Sequence, residues 1–157
     1  MSSDEAIQLT NNDASSFKAY AVNKGYWQDP YIQYFAPTAF KSPQTPQEHK
    51  PPEMSRGYFA RVHAIRGLVD KFLDKHGFRC QIINLGAGYD TLFFDLLDKK
   101  RLPSKYVEID FNRIVASKIR IIKSKKALTD KLNSLANQNP ANQTAQAIVE
   151  ENQASLG

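Results

Sequence analysis

An apolar run that ends in a two-glycine turn places the tightest constraint on the fold of this chain. The run covers residues 80–85, and the turn contains Gly86 and Gly88. A second apolar run, residues 106–109, ends in an acid, Asp110, twenty-two residues after Gly88. Short apolar runs bounded by such turns are typical of buried strands in a parallel sheet. The sequence therefore predicts a strand, a glycine loop, a helix and a second strand, in that order.

This order of elements is that of a Rossmann-like nucleotide fold. Glycine adopts backbone angles closed to other residues and lets a ligand approach the main chain closely. An acid at the end of the second strand can accept hydrogen bonds from two ribose hydroxyls. Thr91 occupies the place of the third small residue of a dinucleotide loop, which favours an uncharged adenosine with an amino-acid tail, as in S-adenosylmethionine. On spacing alone, the alternative is a tight strand-to-helix turn that holds no ligand.

Four blocks of sequence narrow the interpretation further. They are Gly-Tyr-Trp-Gln-Asp-Pro-Tyr-Ile-Gln at 25–33, Arg-Gly-Tyr-Phe-Ala-Arg-Val-His at 56–63, Asn-Leu-Gly-Ala-Gly-Tyr-Asp-Thr at 84–91 and Leu-Pro-Ser-Lys-Tyr at 102–106. In this order and spacing, they resemble the leucine carboxyl methyltransferase family, over about residues 13–125. The resemblance implies a Rossmann-like α/β fold of the class I S-adenosylmethionine-dependent methyltransferases. It also implies a substrate, the C-terminal leucine carboxylate of the catalytic subunit of type 2A protein phosphatases.

The same resemblance implies a cofactor site of four residues. Lys18, before the Gly-Tyr-Trp block, would reach the cofactor, and Arg61 would hold the carboxylate of its methionine part with a forked guanidinium. Gly86 matches the first glycine of the family's loop, and Asp110 matches the acid that closes the second strand. A sulfonium methyl group is already activated and the substrate carboxylate is already ionised, so no catalytic residue is expected.

Each of these residues also has a purely structural interpretation. Lys18 and Arg61 could be solvated charges on helix surfaces, with Arg61 beside an apolar stripe of its helix. Asp110 could cap the helix that follows it. A cluster of aromatic residues predicts packing rather than recognition, because aromatic rings bury large areas; it contains Tyr26, Trp27, Tyr31, Tyr34 and Phe35.

Composition limits the partners and the compartment. The chain has 157 residues, 41% hydrophobic and 24% charged, as expected for one soluble domain. A single cysteine, Cys80, predicts a buried, inert thiol and a reducing compartment, the cytoplasm or nucleus. Residues 1–13 are polar, unlike a secretory signal, and no apolar run reaches the length of a membrane span. No membrane partner is therefore expected. The histidines are too scattered for a metal motif, so no metal partner is expected either.

A net charge of +5 raises the question of a nucleic-acid partner. The basic residues concentrate between positions 113 and 126, opposite apolar residues at helical spacing, which predicts the solvated face of a helix. No zinc-finger, RNA-recognition or basic-zipper pattern accompanies them, so no nucleic-acid partner is expected. These residues are Arg113, Lys118, Arg120, Lys123, Lys125 and Lys126.

Local signals predict the remaining elements. Asp13 is placed to cap a short N-terminal helix, and Ser55 and Gly77 are placed to begin and end a long amphipathic helix. Residues 36–53, with five prolines, predict a loop. Strands are predicted at about 81–85 and 105–109, a helix at about 91–98 between them, and a basic helix after them.

The sequence predicts three segments: a polar segment at 1–12, the N-terminal half of a methyltransferase domain at 13–125, and a tail at 126–157 that departs from the family. The tail is rich in Asn, Gln and Ala, a composition that favours weak order. Only two strands are recognisable, so we expect the fold to be incomplete in this chain, a truncated form. Three functions stay open: a protein carboxyl methyltransferase, a non-catalytic fragment that binds a protein partner, and another Rossmann-type nucleotide binder.

Overall fold

The two predicted strands form a parallel pair. In a computed structural model, which describes residues 3–36 and 52–138, the elements of these ranges are α1 (Ser3–Asn23), α2 (Ile32–Phe35), α3 (Pro52–His76), β1 (Gln81–Leu85), α4 (Leu92–Asp98), β2 (Lys105–Ile109), α5 (Asn112–Ser124) and α6 (Lys126–Gln138). Strands β1 and β2 pair in register from Gln81 with Lys105 to Leu85 with Ile109. Helix α4 makes the crossover that parallel strands need. The bounds predicted for both strands are confirmed, as is a mixed α/β architecture.

The two faces of this small sheet have different environments. One face packs on α3 and α4, where Ile82 and Tyr106 contact a cluster around Leu73. The opposite face carries Ile83 and Leu85, whose side chains are 59% and 73% exposed. Strands of parallel sheets are normally covered on both faces. Within the described ranges, this apolar face has no cover.

Helix α3 ends where the sequence predicts and begins earlier. Gly77 has a φ of +68°, and its amide donates to the Leu73 carbonyl at 2.8 Å, so glycine ends the helix. The helix begins at Pro52, a residue suited to a first helical turn. Ser55 therefore lies inside the helix as a fully buried residue, and the prediction that it caps α3 is wrong.

Helix α1 is longer than the sequence predicts. It begins at Ser3, so Asp13 lies in the middle of the helix rather than at its cap. No glycine or proline interrupts residues 3–23, which allows the helix to extend through the polar segment. Most of the proline-rich loop predicted at 36–53 falls on residues 37–51, which lie outside the described residues.

The main core joins the segment of α2 to helices α4 and α6. Tyr31 and Phe35 pack with Phe94 of α4 and with Leu128 of α6, and the Tyr31 and Phe94 rings stack with centroids 5.0 Å apart. Of the aromatic residues predicted to pack, Tyr31 and Phe35 are thus confirmed in this core.

The beginning of the tail contributes to this core. Leu128 is fully buried, and Leu132 packs against the same cluster one turn later. Weak order is therefore the wrong expectation for 126–138, because these leucines give α6 an apolar stripe. The rest of the tail, 139–157, lies outside the described residues.

Two further features bear on environment. Cys80 lies just before β1 and is partly exposed, with its Sγ 3.3 Å from the Gly77 carbonyl, so the expectation of a buried thiol is wrong. In residues 3–36 and 52–138, no helix is long and apolar enough to cross a membrane.

Candidate functional site

A cleft of about 560 Å³ lies where the carboxyl ends of β1 and β2 meet α1 and α3. All four predicted site residues, Lys18, Arg61, Gly86 and Asp110, line it. They come from α1, from α3, from the loop after β1 and from the end of β2, so only the fold brings them together. In open α/β sheets, the carboxyl ends of the strands are where ligands bind.

The two glycines of the loop face different surroundings. Gly86 and Gly88 have φ of +63° and +50°, in the left-handed region that favours glycine. A Cβ placed on Gly86 would meet nothing within 4 Å, whereas a Cβ on Gly88 would lie 2.5 Å from Oδ1 of Asn11. Gly86 therefore borders the open cleft, whereas Gly88 lies in close contact with helix α1.

Asn11 fixes α1 against this loop. Its Oδ1 accepts a hydrogen bond from the Tyr89 amide at 3.0 Å. Its Nδ2 is buried and has no hydrogen-bond partner in the described part of the chain. A lone asparagine 78 residues from its partner carries no local signal, and the sequence analysis missed it.

Asp110 holds the glycine loop rather than the helix that follows. Its Oδ2 accepts from the Gly88 amide at 2.6 Å, and its Oδ1 accepts from the Phe111 amide at 2.7 Å. Phe111 is the N-cap residue of α5, and no side chain caps that helix. Each carboxylate oxygen has more than one acceptor position, so Asp110 can still receive hydrogen bonds from a ligand.

Two arginines line the cleft, and their surroundings differ. Arg66 is mostly buried, with Nη2 2.9 Å from Oδ2 of Asp29 and Nη1 3.7 Å from Oδ1 of Asp95. Arg61 is exposed and makes no ion pair within the described ranges. Of the two guanidiniums, that of Arg61 is the one available to a ligand.

Asp29 is the centre of a buried hydrogen-bond network that the sequence analysis missed. Its Oδ1 accepts from the amides of Tyr31 and Ile32, both at 3.1 Å, and its Oδ2 accepts from the Thr91 hydroxyl at 2.6 Å. The carboxylate therefore links the turn before α2 to the start of α4. An Asp-Pro pair ahead of an apolar segment is a turn signal that could have found it.

Lys18 pairs with an acid at the end of the glycine loop. Its Nζ lies 3.6 Å from Oδ1 of Asp90, and the two side chains are 21% and 26% exposed. Oδ2 of Asp90 accepts from Nδ2 of Asn84 at 3.1 Å. The interpretation of Lys18 as a fully solvated charge is therefore wrong.

Lys118 also departs from the solvated face predicted for the basic helix. It is 6% exposed, and its Nζ donates to the Asp90 carbonyl at 2.8 Å and to Oε2 of Glu108 at 2.6 Å. Burial raises the pKa of Glu108, although the Lys118 ammonium opposes that rise. Lys118 follows Ile114 by one turn and shares its buried face, a signal present in the sequence. Exposure is confirmed for four other basic residues, Arg113, Arg120, Lys123 and Lys126.

Comparisons with known proteins identify the family of this chain. A family model described as leucine carboxyl methyltransferase matches residues 6–150. Leucine carboxyl methyltransferase 1 of Bos taurus is 49% identical over 126 residues, which are 80% of this chain and 36% of that protein. The Rattus norvegicus protein of the same name is 47% identical over 125 residues, again 80% and 36%.

A plant relative gives the same result. The leucine carboxyl methyltransferase 1 homolog of Arabidopsis thaliana is 39% identical over 132 residues, which are 83% of this chain and 37% of that protein. The chain thus spans little more than a third of the length of these curated relatives. The family resemblance of the four sequence blocks is confirmed: the chain belongs to the leucine carboxyl methyltransferase family.

Proposed function

We propose that this chain builds the S-adenosylmethionine site of a protein carboxyl methyltransferase, on a Rossmann-like fold. The observation that carries the proposal is the convergence of Lys18, Arg61, Gly86 and Asp110 on one cleft at the carboxyl ends of two parallel strands. Membership of the family supports the class of reaction. The proposed substrate is the C-terminal leucine carboxylate of the type 2A protein phosphatase catalytic subunit, in the cytoplasm.

The residues of the cleft fit the adenosine part of this cofactor. Gly86 leaves open space above its Cα, so a ligand can lie against the main chain there. The Asp110 carboxylate keeps acceptor positions for the ribose hydroxyls. Apolar side chains of α3 and β1, among them Val62, Ile65 and Leu85, line the same cleft and suit a flat aromatic base.

The charged residues fit the amino-acid part. The Arg61 guanidinium can grip both oxygens of a carboxylate, and no acid competes for it within the described ranges. The Lys18 ammonium has three N–H donors, and its pairing with Asp90 leaves others for a ligand. Arg66 is held by Asp29 and has a structural role in this proposal.

Binding and orientation are the main tasks of these residues. S-adenosylmethionine supplies a methyl group on a sulfonium, which departs as a neutral thioether. The accepting carboxylate is already ionised at neutral pH, so no side chain of the chain has to move a proton. Rate acceleration then comes from holding the two reactants in line. In this proposal, Arg61 and Asp110 orient the cofactor and Lys18 completes the polar wall.

Calorimetric titration of the full chain with S-adenosylmethionine tests the proposal. We expect saturable binding that Arg61→Ala weakens by at least about tenfold, since a charged hydrogen bond is worth about 1.5–3 kcal/mol. Arg56→Ala is the matched control, because Arg56 is an exposed arginine of the same helix that lies outside the cleft. To test Asp110 in the same titration, the variant is Asp110→Asn and not Asp110→Ala. The amide oxygen of asparagine can still accept the hydrogen bond from the Gly88 amide, so the loop keeps its contact.

Two outcomes would contradict the proposal. One is the absence of heat from the folded chain at about 1 mM ligand at two temperatures, which excludes even a binding free energy near 4 kcal/mol. The other is an equal loss of affinity in Arg61→Ala and Arg56→Ala, which would mean that the ligand does not bind at the cleft.

A second candidate function is that of a non-catalytic fragment that binds a protein partner. The observation in its favour is the uncovered apolar face of the sheet, with Ile83, Leu85 and Ile109 at 59%, 73% and 49% exposure. Large exposed apolar patches mark interaction sites. Under this candidate, Ile109→Asp, on the exposed face but outside the cleft lining, would abolish association with the phosphatase or with a full-length methyltransferase in analytical ultracentrifugation, and Arg61→Ala would leave it intact.

A dinucleotide enzyme is the weakest alternative. Thr91, at the position of the third small residue of the loop, is buried and donates to Asp29 at 2.6 Å. A side chain therefore fills the space where helix and strand would pack beneath a pyrophosphate. Titration with a nicotinamide dinucleotide should give no saturable heat.

A further inference from the structure

We infer that Asp90 is a positioning residue of the cofactor site, which holds the Lys18 ammonium at the wall of the cleft. The inference rests on the proposed function, because Lys18 is there taken as a cofactor ligand. Asp90 is the fifth residue after β1, at the point where the glycine loop turns into α4. Neither the family resemblance nor the sequence pattern assigned a role to it.

The carboxylate of Asp90 is fixed from the sheet side. Nδ2 of Asn84, on β1, donates to Oδ2 at 3.1 Å and lies 3.4 Å from the Tyr106 hydroxyl of β2. Oδ2 of Asp90 is thus held by a residue of the sheet. The other oxygen, Oδ1, faces α1 and lies 3.6 Å from Nζ of Lys18.

The main chain of Asp90 is fixed from the opposite side. The buried Lys118 ammonium of α5 donates to the Asp90 carbonyl at 2.8 Å and pairs with Glu108 at 2.6 Å. The Asp90 amide donates to the Ala87 carbonyl at 2.9 Å, which closes the loop on itself. Moving Asp90 would leave a buried ammonium short of one partner, and buried charges without partners are costly.

The reason for such a fixed acid lies in the lysine it faces. A lysine side chain carries roughly 2 kcal/mol of rotamer entropy, and an unpaired ammonium at a cleft would occupy many positions. In the described part of the chain, Asp90 is the one acid within ion-pair distance of Lys18. The pair therefore preorganises Lys18 before a ligand binds, which lowers the entropic cost of the contact.

A double-mutant cycle on cofactor affinity tests the positioning role. The variants are Lys18→Gln, Asp90→Asn and the two combined, each titrated with S-adenosylmethionine as the full chain. Asp90→Asn keeps the side-chain size and can accept from Asn84 through its amide oxygen. We expect it to weaken binding about three- to tenfold in the wild-type chain and not at all in the Lys18→Gln chain. Equal weakening in both chains would overturn the inference, because Asp90 would then act independently of Lys18.

The same four chains give a test that needs no cofactor. In urea unfolding, the two substitutions should be coupled, with a combined effect on the unfolding equilibrium constant roughly two- to fivefold smaller than the product of the single effects. Additive effects would overturn the contact itself. If the wild-type chain binds no S-adenosylmethionine, the proposed function fails, and this cycle still decides whether Asp90 holds Lys18.

A matched pair controls for loss of charge alone. Lys126 and Asp130, one turn apart on α6, form an ion pair with side chains 87% and 56% exposed, away from the cleft. Lys126→Gln and Asp130→Asn should leave cofactor affinity unchanged. An effect as large as that of Asp90→Asn would also overturn the inference.

Discussion

The carboxylate of Asp110 accepts a hydrogen bond from the Gly88 amide at 2.6 Å. This bond ties the end of β2 to the loop after β1, so the acid and the glycines proposed to hold a cofactor form one unit. Because Asn11 lies against the other side of Gly88, the unit also depends on α1. Local substitutions at the loop should therefore have effects that extend to the N-terminal helix.

Gly88→Ala should destabilise the chain more than Gly86→Ala. Both positions have positive φ, which costs an L-residue about 1–2 kcal/mol. Only at Gly88 would the new Cβ meet Asn11, at 2.5 Å from its Oδ1, so the free energy of unfolding should fall by a further amount of about 1 kcal/mol. Urea unfolding measures the difference. Adding Asn11→Ala should recover part of the loss in Gly88→Ala and none in Gly86→Ala; recovery in both would contradict the contact.

Substitution of Arg66 should lower the stability of the chain, whereas substitution of Arg61 should affect ligand binding and leave stability nearly unchanged. Arg66→Ala leaves the buried Asp29 carboxylate without its guanidinium and should lower the free energy of unfolding by about 3 kcal/mol. Arg61→Ala removes an exposed side chain and should change it by less than about 0.5 kcal/mol. Thermal unfolding of the two variants, beside the calorimetric titration, gives the comparison. Equal stability losses would mean that Arg61 has a partner of its own.

Leu128→Ala tests whether α6 belongs to the core. Leu128 is fully buried against Tyr31, Phe35 and Phe94, so truncation should cost about 2–5 kcal/mol. Leu68, which is 67% exposed on α3, is the control, and Leu68→Ala should cost less than about 1 kcal/mol. A small effect at Leu128 in urea unfolding would mean that the chain after residue 125 contributes little to the fold.

Glu108 should make the free energy of unfolding depend on pH. Burial raises the pKa of this carboxyl in the folded chain above its unfolded value, against the opposing effect of Lys118. The folded state then binds the proton more tightly than the unfolded state, and this contribution to stability is lost as pH rises through the interval between the two values. Relative to Glu108→Gln, the wild-type free energy of unfolding should therefore decline from about pH 4 upward. Urea unfolding at a series of pH values measures this difference, and a rise in place of a decline would mean that Lys118 outweighs burial.

Local signals were sufficient for the strands and for the end of α3. Apolar runs bounded by turn residues encode β1 and β2, and a glycine at position 77 is enough to stop a helix. The start of α3 differs from the predicted one because a proline in the first helical turn competes with a serine cap three residues later. These features depend only on neighbours in sequence.

The environment of the site could not be predicted in this way. Asn11 and Tyr89 are 78 residues apart, and Thr91 and Asp29 are 62 apart. In the sequence, Thr91 indicates only that the loop does not fit a diphosphate, whereas in the fold its hydroxyl donates to Asp29. The cluster of basic residues around Lys118 predicts a solvated charge, although the spacing of Lys118 from Ile114 indicates the buried face. Contacts of this kind become visible only once the helices have been placed.

The contact of Asn11 with the glycine loop has a consequence for the order of events on the ribosome. Helix α1 is translated first, but the amide that Asn11 accepts from belongs to a residue made 78 positions later. At about 5–20 residues per second, the wait is about 4–16 s. Tyr89 follows β1 and precedes β2 along the chain, so helix α1 cannot make this contact until β1 and the glycine loop have been synthesised.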